Sequence, residues 1–188
     1  CRVSVFSVGS ELSSTEGQAS QWRAIVAEVR QHFSGELTYS ANWDHYENVP
    51  IWKELDYIGL SAYYELAETS SPTLKELIEA WRAVRKKLLA WRKQAGLLER
   101  PLLFTEIGYP SIDGCASKPW NYTLLDKPVD LREQELCYRA FVSAWDGCPE
   151  LGGAVFYEWW GQGGRSDKGY TPRGKPALRV LRDWFRAE

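Results

Sequence analysis

Pro101-Leu102-Leu103-Phe104-Thr105-Glu106-Ile107-Gly108-Tyr109-Pro110 is an apolar run that ends on a carboxylate and is closed by Gly and Pro. It reads as a short strand over Leu102–Thr105 with Glu106 at its C-terminal tip. Immediately upstream, Thr73–Gln94 places Leu74, Leu77, Ile78, Trp81, Val84, Leu88 and Trp91 on one helical stripe. Pro72-Thr73 with Glu76 three residues on is a capping-box start, and Gly96 supplies the stop. A long amphipathic helix feeding a short strand is one unit of an alternating α/β chain.

The same unit recurs in both directions. The spacing predicts strands over Val3–Gly9, Leu37–Ala41, Tyr57–Ala62 and Leu151–Tyr157, and helices over Ala19–Phe33, Asp130–Trp145 and Pro176–Arg186. A short helical turn is expected near Ile51–Leu55, a long loop from Gly108 to Val129 that carries Trp120, and a loop over Trp159–Lys175. Strands separated by helical connections imply parallel pairing with right-handed crossovers. No internal repeat or low-complexity linker interrupts residues 1–188, which read as a single unit. A doubly wound sheet would carry a Gly-rich phosphate loop after its first strand, and Gly9-Ser10-Glu11-Leu12 is not one. A (β/α)8 barrel needs eight strands and typically about 250 residues. The expectation is therefore an α/β chain amounting to part of such a barrel.

Composition narrows the classes. With 44% hydrophobic and 26% charged residues, the chain has the makings of a globular core. A net charge of −2 offers no electrostatic reason to expect nucleic acid or an anionic membrane as partner. No apolar run approaches the roughly 20 residues that span a bilayer. Cys1, Cys115, Cys137 and Cys148 follow no Cys-x-x-Cys spacing, and His32 and His45 lie apart, so neither a metal nor a cofactor is expected. Cys115 and Cys148 sit in loops and could pair under oxidising conditions, with free thiols the plainer reading. Cys1 opens inside a predicted strand, which reads as an interior start. Ten Trp and ten Tyr form a heavy aromatic load, suited to packing helices on a sheet and to stacking on sugars.

A second strand also ends on a carboxylate: Val3-Ser4-Val5-Phe6-Ser7-Val8-Gly9-Ser10-Glu11. Active sites of barrels are built at the C-terminal rim of the strands, and two facing carboxylates are the machinery for cleaving a glycosidic bond. Strict alternation would put Glu11 on one face with Ser7 and Gly9, and Phe6 and Val8 on the other. By the same count Gly59, Ser61 and Tyr63 share a face, which favours Tyr63 over Tyr64 as the tyrosine turned toward the barrel axis. Alternation also turns Glu158 away from the face of Trp159. Plainer roles stand beside these: an exposed loop carboxylate for Glu11, core packing for Trp159, loop polarity for Asp44 and His45, and a solvated helix face for the run Arg82–Lys87.

Gly9-Ser10-Glu11, Ser40-Ala41-Asn42-Trp43-Asp44, Asp56-Tyr57-Ile58-Gly59-Leu60-Ser61-Ala62-Tyr63-Tyr64, Phe104-Thr105-Glu106-Ile107-Gly108-Tyr109 and Gly169-Tyr170-Thr171-Pro172-Arg173-Gly174-Lys175-Pro176-Ala177 together resemble glycoside hydrolase family 113. That resemblance implies a clan A TIM barrel, of which residues 1–188 would be the C-terminal portion with the fourth to eighth strands. It implies a retaining hydrolase of β-mannosidic bonds in an oligosaccharide or polysaccharide, with Glu11 as acid/base and Glu106 as nucleophile. Asn42, Trp43, Tyr63 and Trp159 would be substrate-binding, Tyr63 orienting the nucleophile and Trp159 forming the floor of the sugar subsite. Two positions depart from the clan's pattern: Ser10 stands where an Asn often precedes the acid/base, and Ser61 where Asp often stands on the sixth strand, altering hydrogen bonding beneath the site. Two further readings stay open, another clan A β-glycosidase and a non-catalytic carbohydrate-binding or structural remnant. Five strands leave two open edges, which call for a second copy of the chain or an N-terminal half-barrel.

Overall fold

The computed structural model describes residues 3–68, 71–123 and 126–186; Cys1 lies outside them. In chain order the elements are β1 (Val5–Ser10), α1 (Ala19–His32), β2 (Glu36–Asn42), β3 (Ile58–Ser61), α2 (Leu74–Gln94), β4 (Leu102–Ile107), α3 (Leu131–Trp145), β5 (Leu151–Phe156) and α4 (Ala177–Arg186). The strands form one sheet in sequence order, β1-β2-β3-β4-β5, with β1–β2, β2–β3 and β3–β4 paired in parallel. The predicted turn near Ile51–Leu55 is a 3-10 turn at Trp52–Glu54.

The chain packs as two compact units, one of Cys1–Ala62, Leu89–Glu106 and Pro149–Val155, the other of Tyr63–Leu88, Ile107–Cys148 and Phe156–Glu188. The first holds the sheet except for the last residues of β4 and β5. Its sheet is tightly curled. Ser40 Oγ in β2 lies 2.5 Å from Thr105 Oγ1 in β4 and 3.1 Å from Ser61 Oγ in β3. In a flat sheet β2 and β4 would be about 9.5 Å apart, with parallel side chains that never meet. Direct contact across β3 means that these hydroxyls line a concave face. Gly59 in β3 shows the same convergence: a Cβ there would lie 2.3 Å from the Tyr39 carbonyl oxygen, 2.5 Å from Thr38 Oγ1 and 3.1 Å from Thr105 Cγ2. Only a residue without a side chain fits.

The convex face is aromatic and aliphatic. Trp22 of α1 packs edge-on against Tyr39 with ring centroids 5.2 Å apart, and Leu37, Ile58, Leu60, Leu102 and Phe104 are fully buried. β1 departs from the expected alternation. Ser7 pairs with Thr38 but Ser10 with Ser40, so three steps of β1 oppose two of β2. The extra residue transfers Gly9 to the convex face, where a Cβ would sit 2.8 Å from the Trp22 ring; Phe6 is on that face too, against Phe33. The expectation that Gly9 and Ser7 share a face is therefore wrong, because a bulge resets the pleat. All four residues of β3 are buried, whereas Phe6 and Ser7 of β1 and Gly152 and Val155 of β5 are exposed, as edge strands would be.

In the second unit Trp81 of α2 is the hub. It is fully buried among Tyr64, Phe141 and Trp145, and its indole N–H donates to the Tyr109 hydroxyl at 3.1 Å. The capping box that starts α2 is formed: Thr73 N–H donates to Glu76 Oε2 and Glu76 N–H to Thr73 Oγ1. One member of the basic run is not simply solvated, since Arg85 donates to the Ala144 carbonyl. Asp130 caps α3 by accepting from the Arg132 and Glu133 amides. Lys175 is buried, and its ammonium donates to Ser111 Oγ, Asp167 Oδ1 and the Gly169 carbonyl at 2.6–2.8 Å. That single cation ties the segment after β4 to the long loop before α4. Cys115 and Cys137 are buried thiols that hydrogen-bond each other, so the Cys115–Cys148 pairing is not formed.

Candidate active site

Glu11 follows β1 directly and takes a left-handed backbone, φ 54°. A non-glycine residue is held there only by its surroundings. Its N–H donates to the Ser40 carbonyl at 2.8 Å, which continues the β1–β2 ladder past the bulge. The next residues are anchored from below. The Tyr39 hydroxyl accepts from the Leu12 N–H at 2.9 Å and donates to Glu16 Oε1 at 2.8 Å. Glu16 is itself buried at 3% exposure, and the Trp22 indole N–H donates to the Thr15 carbonyl. Burial, then the neighbouring Glu16 carboxylate, pushes the Tyr39 phenol above its ordinary range. It stays a neutral donor and a fixed post beneath the Glu11 segment.

Glu106 also sits at a register shift. Leu60 pairs with Phe104 but Ser61 with Glu106, so Thr105 is an extra residue in β4. Its hydroxyl fills the space on the concave face beside Ser40. The Glu106 carbonyl accepts from the Ala62 N–H at 2.6 Å. Asn42, the last residue of β2, pairs in register with Ser61, and its Nδ2 donates to Ser13 Oγ at 3.4 Å. Glu11, Asn42 and Glu106 thus occupy the C-terminal ends of β1, β2 and β4 in one sheet. Ser61, in register with Asn42 and Glu106, bonds to Ser40 below them. Trp43 follows Asn42 and is half-buried. Asp44 and His45 form an exposed pair at 2.7 Å, and the hydrogen bond and charge of Asp44 raise the His45 pKa.

Tyr63 and Trp159 belong to the second unit. Tyr63 is buried in a cluster of tyrosines, edge-on to Tyr157 at 6.4 Å and to Tyr170 at 6.3 Å. Tyr64 instead faces Trp81 in the core. Gly108 lies where a Cβ would meet the Tyr157 carbonyl oxygen at 2.0 Å and the Tyr170 ring at 3.0 Å, so the glycine two residues after Glu106 is required by close packing. Trp159 is 62% exposed, with the Arg173 guanidinium 5.9 Å from its ring centre. It is therefore not a core residue. Glu158 and Trp159 both line an apolar groove with Leu178 and Leu181 of α4. β5 ends at Phe156, before either of them, so strand alternation does not set their directions.

Several residues that hold these positions were not legible beforehand: Glu16 and Tyr39 under Glu11, and Tyr157 and Tyr170 around Tyr63. The available signals were a carboxylate in an otherwise small-residue loop and a tyrosine inside a strand, both too common to single out. Among the described residues one acidic group could hold a metal ion, Asp113, Asp130 and Glu133, whose oxygens lie within 4.8 Å of one another. The Glu133 oxygens and one Asp130 oxygen already have partners. Glu133 accepts from the Gly114 and Ala116 amides and Asp130 from the start of α3. No described helix is long and apolar enough to cross a membrane.

A curled parallel sheet with carboxylates at the C-terminal ends of β1 and β4 is the arrangement of a barrel glycosidase fragment. The model of Glycoside Hydrolase Family 113 matches residues 1–175, and the chain belongs to that family. It is similar to the GH113 β-mannanase AaManA from Alicyclobacillus acidocaldarius, at 30% identity and TM-score 0.82 over 98% of this chain and 56% of that one. A GH113 β-1,4-mannanase matches at 26% identity and TM-score 0.83, with the same coverage. A β-glucuronidase from Faecalibacterium prausnitzii, at 16% identity and TM-score 0.68 over 99% of this chain and 32% of that one, shares the fold alone. The chain thus spans little more than half the length of the mannanases it matches. No curated protein sequence matches it.

Proposed function

We propose that this chain carries the catalytic pair of a retaining hydrolase of β-1,4-mannan, as the fourth to eighth strands of its barrel. The observation that carries the reading is the placement of Glu11 and Glu106, each fixed just past an extra strand residue at one end of a curled parallel sheet. Membership of a family whose solved relatives are β-mannanases supplies the sugar. Glu11 donates a proton to the leaving oxygen, whose bond to the anomeric carbon breaks as the Glu106 carboxylate attacks that carbon, which gives a covalent glycosyl-enzyme. Glu11 then takes a proton from a water molecule whose oxygen displaces the Glu106 carboxylate from the same carbon, and the configuration is retained. Asn42 and Trp43 contact the sugar, Tyr63 orients the nucleophile, and Trp159 offers an exposed ring to a sugar face.

Hydrolysis of an aryl β-mannoside or of β-1,4-mannan by the chain tests the reading, followed by proton NMR of the first-formed anomer. Loss of turnover by at least about a thousandfold in Glu106→Ala, with the β-anomer formed first by the unaltered chain, is expected. Turnover that survives Glu106→Ala sinks it. The exposed edges at β1 and β5 favour a second reading, in which the chain is a carbohydrate-binding part that pairs with another copy or with an N-terminal half-barrel. Sugar binding without turnover would select that one.

A further inference from the structure

We infer that Trp120, held by Glu65, is a binding subsite for an outer sugar of a β-linked glycan. The inference rests on the glycoside-hydrolase reading above for its ligand class. Trp120 lies on the connection that leaves β4 just after Glu106, and Glu65 on the connection that leaves β3. Both segments leave the C-terminal ends of neighbouring strands, and β4 carries Glu106. Trp120 is 44% exposed, yet its orientation is fixed. The indole N–H donates to Glu65 Oε1 at 3.0 Å. On the preceding side Pro119 is buried, and its carbonyl accepts the Tyr170 hydroxyl at 2.6 Å.

Glu65 is equally constrained. It stands between Tyr64, packed on Trp81, and Leu66, whose N–H donates to the Ala116 carbonyl at 2.8 Å. An exposed indole locked in one orientation gives up side-chain entropy without the return of full burial. Its polar edge is satisfied by the carboxylate, so what it presents to solvent is the apolar ring face. The carboxylate keeps spare acceptor capacity for the hydroxyl of a sugar stacked on that ring. A flat ring with a hydrogen-bond acceptor at its rim, preorganised before binding, is a pyranose platform.

The test measures calorimetric binding of β-1,4-linked mannose dimers and hexamers to the chain and to Trp120→Ala and Glu65→Ala, with circular dichroism as the check on folding. The expected result is hexamer affinity reduced about three- to tenfold in Trp120→Ala and less in Glu65→Ala, with dimer binding unchanged. If Trp120→Ala unfolds, Glu65→Ala, which leaves the ring in place, carries the same comparison. Equal affinity in the variants, an equal loss for both ligands, or no binding by the unaltered chain overturns the subsite. Release of reducing sugar, followed in parallel, separates the two readings. Trp120-dependent binding without hydrolysis keeps the subsite and removes the catalytic proposal; hydrolysis with Trp120-independent binding does the reverse.

Discussion

Replacing Gly59 by alanine tests the curl on which the site geometry depends. The new Cβ would lie 2.3 Å from the Tyr39 carbonyl oxygen and 2.5 Å from Thr38 Oγ1, with Thr105 Cγ2 at 3.1 Å on the other side. Ordinary contact begins near 3.4 Å, so β2 or β3 must shift by about 1 Å, and the closest atom belongs to backbone that cannot turn aside. Overpacking of this kind costs about 1–3 kcal/mol. Separating Ser40 from Ser61 and Thr105 adds about 1 kcal/mol for weakened hydrogen bonds. The sum is about 2–4 kcal/mol, or a melting temperature lower by roughly 4–16 °C for a chain of this size. Thermal and urea melts followed by circular dichroism measure it. Gly17→Ala, where nothing lies within 4 Å, is the control and should stay close to the parent. If Gly59→Ala melts within about 0.5 kcal/mol of the parent, the strands do not converge across β3 and the concave hydroxyl face is wrong.

Tyr39→Phe removes the bridge between Leu12 N–H and the buried Glu16 carboxylate, and should destabilise by about 2 kcal/mol because a charge is left without its donor; an unchanged urea midpoint would refute the anchoring role. Glu133 gives a pH test. Burial raises its pKa, with Asp130 and Asp113 adding to the rise against the amides of Ala116 and Gly114, which lower it. The native state therefore keeps this proton to higher pH than the unfolded chain does. Its favourable contribution is complete below the ordinary glutamate value of 4.5 and is lost as pH rises through the raised one. The stability advantage of the parent over Glu133→Gln should thus shrink as pH rises above 4.5. A gap that widens over that range contradicts the assignment.

The fold was largely legible because its signals are local. Thr73 and Glu76 announce the start of α2, the stripe through Leu77, Trp81 and Leu88 fixes its buried side, and Gly and Pro separate the strands. The strand-end positions of Glu11 and Glu106 were legible for the same reason, since each closes an apolar run. What alternation could not reveal was the extra residue in β1, because a bulge leaves composition unchanged and shows only in the partner strand's register. The reach of Ser40 to Thr105 was hidden likewise; no spacing rule links residues two strands apart. Glu16 reads as an ordinary loop carboxylate until Tyr39, on another strand, is placed above it. For Glu158 and Trp159 the period of two was carried beyond the end of β5, where it has no force.

The two register shifts also bear on how this surface can change by insertion and deletion. A substitution at Glu11 alters one functional group and leaves the strand's path intact. Removing one residue from the Val8-Gly9 pair would let β1 pair with β2 without a break and would turn the next side chains to opposite faces. Strand order would gain regularity while the carboxylate lost its direction. A single codon lost there is thus a larger functional change than most point mutations, and comparisons of related sequences should not be gapped within Ser7–Glu11 or Phe104–Glu106, where residue count sets the aim of the side chain.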